Sequence, residues 1–204
     1  MSQDDDSQDI KVILVGEPGT GKTSLINVAI GQQFSQETSS TLISTFVQKR
    51  MIKGKQEYIL NIWDTAGQEK FRAMTKIFIK NAKIVIFVYS INNRDSFRGL
   101  KEYWYNTIKE SLGDEPILGM VGNKSDLFLE EEVKEDDAKQ FAIENEIMFK
   151  LVSAKEDPNG FVEYLENLLD VYLNKNGVIF DKRDTINIKS EDQNKNNQKK
   201  NCCK

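Results

Sequence analysis

The sequence has no histidine, and this absence removes several kinds of chemistry at once. Without an imidazole the chain cannot build a Ser-His-Asp triad, a histidine general base or a histidine-ligated zinc site. Cysteine is nearly as scarce, because the only two, Cys202 and Cys203, are adjacent near the C-terminus. They cannot form a disulfide framework or a metal site in the core, and we expect a reducing compartment.

Long apolar runs and an excess of positive charge are also absent. The 28 Lys and Arg residues and 32 Asp and Glu residues give a formal net charge of -4, which disfavours nucleic-acid binding. No apolar run approaches the ~20 residues that cross a bilayer, and the N-terminus is acidic, so we expect neither a signal peptide nor a transmembrane helix. A chain of 204 residues that is 39% hydrophobic predicts one globular domain.

Composition divides the chain into three parts. We expect residues 1–9 to be a disordered acidic leader, residues 10–175 to form the domain, and residues 176–204 to be a polar, flexible tail. Within the domain, β-branched runs alternate with segments of helical spacing, which is typical of a parallel sheet covered on both faces. A turn at Lys53-Gly54-Lys55 predicts one antiparallel hairpin. The predicted helices are residues 24–30, 68–80, 95–112, 131–145 and 160–174.

Residues 16–23 read Gly-Glu-Pro-Gly-Thr-Gly-Lys-Thr and match G-x-x-x-x-G-K-[ST] between a predicted strand and a predicted helix. In that setting backbone N–H groups face phosphates, Lys22 reaches the β- and γ-phosphate oxygens, and the Thr23 hydroxyl ligates Mg²⁺. The alternative is an ordinary glycine-rich turn. The flanking strand and helix favour a phosphate-binding loop. Its predicted binding residues are Gly19, Thr20, Gly21, Lys22, Thr23 and Ser24.

Two further loops predict recognition of a guanine base. Asp126 ends the run Asn-Lys-Ser-Asp, and its carboxylate accepts hydrogen bonds from N1–H and the exocyclic amine of guanine, whereas adenine presents an acceptor there. We expect the stem of Lys124 to lie along the base plane and Asn123 to tie this loop to the phosphate loop. The run Ser153-Ala154-Lys155 presents a backbone N–H to guanine O6. A solvated polar loop is the alternative for Asn-Lys-Ser-Asp taken alone.

A fourth segment, residues 63–69, reads Trp-Asp-Thr-Ala-Gly-Gln-Glu. We expect Asp64 to hold Mg²⁺ through a water molecule, the N–H of Gly67 to contact the γ-phosphate, and Gln68 to be the catalytic residue that orients a water for in-line attack. Phosphoryl transfer of this kind depends on positioning and charge stabilisation, so the lack of histidine removes nothing essential.

Taken together, these segments resemble the Ras-like small GTPases, and the run from residue 62 to residue 72 is similar to the Rab family. The resemblance implies a three-layer P-loop NTPase fold, an α/β fold whose six-stranded, mostly parallel sheet has one antiparallel edge strand and five flanking helices. It implies a GTP/GDP switch that hydrolyses GTP with Mg²⁺ and recruits effectors to intracellular membranes in vesicle trafficking. The implied partners are an exchange factor, an activating protein and a lipid-masking chaperone, with a cytosolic pool of the protein.

The resemblance assigns further residues. Thr41 aligns with the second protein ligand of Mg²⁺, and Phe34 aligns with the aromatic residue beside the guanine base. Three aromatic residues match the triad that effectors read in Rab proteins, although core packing is the alternative for aromatics in such runs. They are Phe46, Trp63 and Phe78.

The paired cysteines Cys202 and Cys203 resemble the double-geranylgeranyl signal of Rab proteins. Two lipid chains matter because one chain gives only marginal, reversible membrane anchoring. The last four residues are not a C-a-a-X box, because Asn201 stands at its cysteine position. The alternative is an unmodified tail.

Two departures from the family pattern leave other functions open. Pro18 replaces a small residue nearest the γ-phosphate, and since proline fixes φ and donates no N–H, we expect altered hydrolysis with intact binding. Ile43 and Thr45 replace a glycine and an acid in switch I, which puts the effector set in question. One alternative is a scaffold that holds nucleotide without cycling. The other is a P-loop kinase of small metabolites, a class that lacks a guanine reader.

Overall fold

The computed structural model of the protein describes residues 8–36, 45–65 and 77–177. Its strands are β1 (Gln8–Val15), β2 (Thr45–Lys53), β3 (Gln56–Asp64), β4 (Ile84–Ser90), β5 (Ile117–Asn123) and β6 (Met148–Leu151). They form one six-stranded sheet in the order β2-β3-β1-β4-β5-β6. Strand β2 is antiparallel to β3 at one edge, and all the other pairs are parallel. The predicted six-stranded, mostly parallel sheet is therefore confirmed.

Helices connect the strands. They are α1 (Lys22–Ala29), α2 (Arg94–Gly99), α3 (Tyr105–Leu112), α4 (Glu135–Glu144) and α5 (Pro158–Lys175). A π-helical turn, Leu100–Trp104, joins α2 to α3. The helix predicted over residues 95–112 is therefore one continuous helix interrupted by a π-helical turn. A 3₁₀ segment, Ser125–Glu130, follows β5. The helix predicted over residues 68–80 lies almost entirely outside the described residues.

Strand β1 shows how the sequence builds a core on each face of the sheet. Successive side chains of a strand point to opposite faces. Ile10, Val12 and Leu14 therefore pack with α1 and α5, while Ile13 and Val15 pack with α2, the π-helical turn and α4. Both faces are covered, so the strand is apolar along most of its length, as in other parallel sheets. The carboxyl ends of these strands meet at one edge of the sheet, where such folds bind ligands.

The ends of several elements differ from the prediction for local reasons. Strand β1 begins at Gln8, inside the predicted acidic leader, because Gln8 pairs with Tyr58 of β3. Helix α4 begins at Glu135 rather than at residue 131, because the preceding N–H groups of Glu132 and Val133 both donate to the carbonyl of Ile91. In the described ranges, no helix combines the length and apolar composition needed to cross a bilayer.

Candidate functional site

The phosphate loop, residues 16–23, connects β1 to α1. At two of its glycines a side chain would collide with neighbouring atoms. A Cβ atom on Gly16 would lie 2.1 Å from the carbonyl oxygen of Val88, and one on Gly21 would lie 2.2 Å from Nδ2 of Asn123. Gly21 also has φ +90 and begins α1 in the left-handed conformation. The first N–H groups of a helix have no acceptors within it, so this loop has the backbone geometry of an anion site.

Lys22 lies beneath this loop and is only 6% exposed. Its Nζ donates hydrogen bonds to the carbonyl oxygens of Gly16 and Glu17, each at 3.0 Å. Burial lowers the pKa of Lys22 to about 8, although the carboxylates of Asp64 and Glu17 act to raise it. Because carbonyl groups carry no net charge to neutralise a buried ammonium, the position favours an anion above the loop.

Thr23 and Asp64 meet beside the loop and form a candidate magnesium site. Thr23 lies in the first turn of α1, and its Oγ1 donates to Oδ2 of Asp64, the last residue of β3, at 2.7 Å. Carboxylate oxygens are ligands that Mg²⁺ prefers. A hydroxyl whose proton is donated to a carboxylate keeps its lone pairs for a cation. The chemistry of this pair therefore fits Mg²⁺.

Asn123, the last residue of β5, joins the phosphate loop to the segment that follows β6. Its Nδ2 donates to the carbonyl oxygen of Thr20 at 2.8 Å, and its Oδ1 accepts from the N–H of Ala154 at 3.3 Å. Strand β5 extends to Asn123 because that residue still pairs with Ser90 of β4. One buried amide thus holds the two loops at the same sheet edge.

Asp126 and Ser153 form the second contact between the base-recognition loops. The Ser153 hydroxyl donates to Oδ1 of Asp126 at 2.6 Å and accepts from the N–H groups of Lys155 and Glu156. An ionised carboxylate has about four acceptor positions, so Asp126 retains capacity for the donors of a base. Lys124 adopts the left-handed conformation, and burial lowers the pKa of its ammonium although Asp126 acts to raise it.

The remaining predicted site residues are placed less completely. Thr41, Gly67 and Gln68 lie outside the described residues, as do Cys202 and Cys203, so their roles stay predictions. Ser24 lies in the first turn of α1. Phe34 follows α1 and is 38% exposed, and its place beside a base stays a prediction.

The aromatic triad of Phe46, Trp63 and Phe78 forms one continuous surface. The rings of Phe46 and Trp63 stack with centroids 5.0 Å apart, and those of Trp63 and Phe78 lie 5.5 Å apart. Phe46 is 50% exposed, and the other two side chains are half-buried. Core packing alone therefore does not describe the triad, because Phe46 presents half of its area to solvent.

Glu17 is a contact residue that no sequence motif identified. Its Oε1 accepts from Nε1 of Trp104 at 3.0 Å, and its carbonyl oxygen accepts from Lys22 and from the Thr20 hydroxyl. The position is variable in the loop pattern, so the motif gives no reason to select it. The available signal was its charge, because an acid inside an anion-binding loop opposes the expected ligand.

Comparison with known proteins agrees with this geometry. Residues 11–172 match the sequence model of the Ras family. The Ras-related protein Rab-21 of Geodia cydonium is 40% identical over 132 residues, which cover 65% of this chain and 57% of that protein. The Ras-related protein Rab-11C of Dictyostelium discoideum is 32% identical over 173 residues, which cover 84% of this chain and 77% of that protein.

A third relative matches almost end to end. The Ras-like GTP-binding protein RYL2 of Yarrowia lipolytica is 30% identical over 202 residues, which cover 96% of this chain and 90% of that protein. The chain thus spans less than two thirds of the Geodia cydonium protein but most of the other two relatives. The family match includes the phosphate loop and both base-recognition loops. This chain therefore belongs to the Ras family, as a Rab-type small GTPase.

Proposed function

We propose that the protein is a guanine-nucleotide switch that hydrolyses GTP slowly and is accelerated by an activating protein. The observation that carries the proposal is the Asn123 side chain, which connects the phosphate loop to the loop after β6. Asp126 lies in the same set of loops and supplies the acceptor that guanine requires. A small-metabolite kinase does not need a carboxylate that recognises guanine.

Identification of the nucleotide that copurifies with the folded protein tests this proposal. Protein purified without added nucleotide, then denatured and extracted, should release GDP or GTP in about a one-to-one ratio to protein. Adenine nucleotides in the extract would support the kinase alternative instead. Recovery of no nucleotide, together with no heat of GDP binding in a titration calorimeter, would overturn the proposal.

The Lys22 pKa predicts how nucleotide affinity depends on pH. A bound polyphosphate favours the charged ammonium, so the pKa of Lys22 in the nucleotide complex should be higher than about 8. Above that value, binding must take up a proton, and affinity should fall by up to about tenfold per pH unit. Below that pH, Lys22 is already charged in the free protein, so it should not make the affinity depend on pH.

Calorimetric titration with GDP between about pH 7 and pH 9 measures this slope. The variant Lys22→Met keeps the apolar stem without a titrating group. It should bind GDP more weakly, and its affinity should depend less on pH than that of the wild type. Equal slopes in the two proteins would contradict the prediction.

The Thr23 and Asp64 pair supports a magnesium site, with Thr41 as the second ligand that the family implies. When bound, Mg²⁺ neutralises charge on the β- and γ-phosphate oxygens. Thr23→Ala removes one direct ligand oxygen while leaving the Asp64 carboxylate. We expect the Mg²⁺ concentration that half-maximally slows GDP release to rise about tenfold.

Stopped-flow release of a fluorescent GDP analogue across a Mg²⁺ series measures this change. Thr107→Ala is the control, because it removes a threonine hydroxyl from a helix outside the site. Its Mg²⁺ dependence should equal that of the wild type. An unchanged half-saturation point in Thr23→Ala would exclude its hydroxyl as a ligand.

Pro18 predicts an unusual hydrolysis rate. It is exposed in the phosphate loop, next to Gly19 with φ +74, and it lacks the N–H that a small residue would offer there. Pro18→Gly should change the single-turnover rate of GTP hydrolysis severalfold, while the affinity for GTP stays within about twofold. Rapid-quench measurement of released phosphate tests it, and equal rates would refute the hypothesis.

Membrane attachment and effector binding extend this function. Cys202 and Cys203 would carry two prenyl chains, which hold the protein on an intracellular membrane while a lipid-masking partner maintains a cytosolic pool. The exposed ring of Phe46 would form part of the effector surface when GTP orders the loops around Thr41 and Gly67. Mass spectrometry of membrane-bound protein from its own cells should find two prenyl groups, and unmodified cysteines there would contradict the anchor.

A further inference from the structure

We propose that Glu17 is a positioning residue that couples the phosphate loop to the π-helical turn through Trp104 and thereby slows nucleotide release. The inference rests on the proposed function, because it concerns the same nucleotide site. It identifies helix α2 with the π-helical turn as the element through which a partner could control release. Glu17 itself need not touch the nucleotide.

The contacts form a continuous path from the helix to the loop. Trp104 is fully buried, and its Nε1 donates to Oε1 of Glu17 at 3.0 Å. The carbonyl oxygen of the same Glu17 accepts from Nζ of Lys22 and from Oγ1 of Thr20, each at 3.0 Å. The carbonyl oxygen of Thr20 in turn accepts from Asn123. The orientation of Glu17 thus affects the phosphate-binding lysine and the tie to the base-recognition loops.

The π-helical turn explains how the helix presents this contact. In a regular α-helix each added residue rotates the next side chain by about 100° around the axis. The wider turn at Leu100–Trp104 absorbs one residue and keeps Trp104 directed at Glu17. Such turns are frequent at functional sites.

Gly99 shows how closely the helix approaches the loop. A Cβ atom on Gly99 would lie 2.7 Å from Oε1 and 2.9 Å from Cγ of Glu17. Gly99 has ordinary right-handed helical dihedral angles, so alanine suits its backbone and is a better helix former than glycine. The three heavy atoms nearest to the added methyl group would all belong to the Glu17 side chain. Gly99→Ala therefore perturbs the contact from the helix side without altering the phosphate loop sequence.

The charge of Glu17 is unfavourable for binding an anion, so its hydrogen-bonding role must be separated from its electrostatic role. Near Lys22, the carboxylate favours the ammonium form but also repels phosphate. Glu17→Gln removes the charge and keeps an oxygen that accepts from Trp104. Glu17→Leu removes both the charge and the acceptor and leaves the indole N–H buried without it.

The test is the dissociation rate of a fluorescent GDP analogue from the full-length protein. Glu17→Leu and Trp104→Phe should each release GDP about tenfold faster, the effect of losing a hydrogen bond to a charged group. Gly99→Ala should also accelerate release. Glu17→Gln, unlike Glu17→Leu, should release GDP slowly, as the wild type does. Glu102→Leu, which changes an exposed acid on the same π-helical turn, is the control and should match the wild type.

Thermal unfolding separates positioning from general stability. Gly99→Ala should accelerate release without lowering the melting temperature of the nucleotide-free protein, because alanine favours the helix. Release at the wild-type rate in both Glu17→Leu and Gly99→Ala would overturn the coupling while leaving nucleotide binding intact. Fast release in Glu17→Gln equal to that in Glu17→Leu would also overturn it, because charge alone would then explain the effect. Failure of the wild type to bind GDP would overturn the proposed function itself.

Discussion

Asp126→Asn should transfer the preference of the protein from guanine to xanthine nucleotides. The carboxylate accepts from two donors of guanine, whereas the asparagine amide places a donor where guanine also has one. We expect GTP affinity to fall about 1,000-fold, since a site that hydrogen-bonds its ligand discriminates strongly against a mismatched partner. Xanthosine triphosphate, which has a carbonyl oxygen in place of the amine, should become the better ligand.

Competition binding with both nucleotides measures this change. Ser153 should still donate to the oxygen of the substituted asparagine, so the loop should keep its shape. Asp137→Asn on the exposed face of α4 is the matched control and should leave both affinities as they are. Unchanged GTP affinity in Asp126→Asn would show that another residue selects the base.

Gly21→Ala should lower the unfolding free energy and reduce nucleotide affinity by up to about 100-fold, because two costs act at one position. A side chain at φ +90 costs about 1–3 kcal/mol. The added Cβ would also lie 2.2 Å from Nδ2 of Asn123, so the amide would lose its bond to Thr20. A buried amide without its partner costs about 1–3 kcal/mol more. The phosphate loop and the base-recognition loops would then no longer be held together.

Gly31→Ala separates these two costs. Gly31 has φ +86, nearly the same conformation as Gly21, but a Cβ atom there meets nothing within 4 Å. Gly31→Ala should lower the unfolding free energy only by the cost of a side chain at positive φ, and it should leave GDP affinity unchanged. Calorimetry and chemical denaturation of both variants give the comparison. Equal affinities of Gly21→Ala and Gly31→Ala for GDP would show that the Asn123 contact contributes nothing to binding.

Much of the fold and part of the site follow from local patterns. The alternation of apolar runs and amphipathic segments predicted the parallel sheet because strands covered on both faces, such as β4, are buried at every position. The turn at Gly54 predicted the antiparallel edge, and Gly54 has φ +62. The carboxyl-edge position of the phosphate loop and of Asn123 followed from the order of strands and loops alone.

The features that the sequence did not predict depend on contacts between distant segments. Residues 94–112 have the spacing of an ordinary helix, and nothing in that spacing reveals the wide turn, because the turn forms against Glu17 far away in the chain. The extended start before α4 likewise depends on the carbonyl of Ile91. Periodicity describes which face of an element is buried, but it does not identify the partner that bends it.

The position of β1 at the centre of the sheet has a consequence for biosynthesis. Strand β1 leaves the ribosome before the two strands that it pairs with, β3 on one side and β4 on the other. Its pairing with β4 therefore cannot be completed until that strand, which ends at Ser90, has been translated. Parallel pairing between distant segments is slow, and apolar surface stays exposed to solvent until it is complete. The nascent chain should consequently recruit chaperones early, and a pulse-labelled ribosome-bound fragment ending before residue 84 should be the form that they retain.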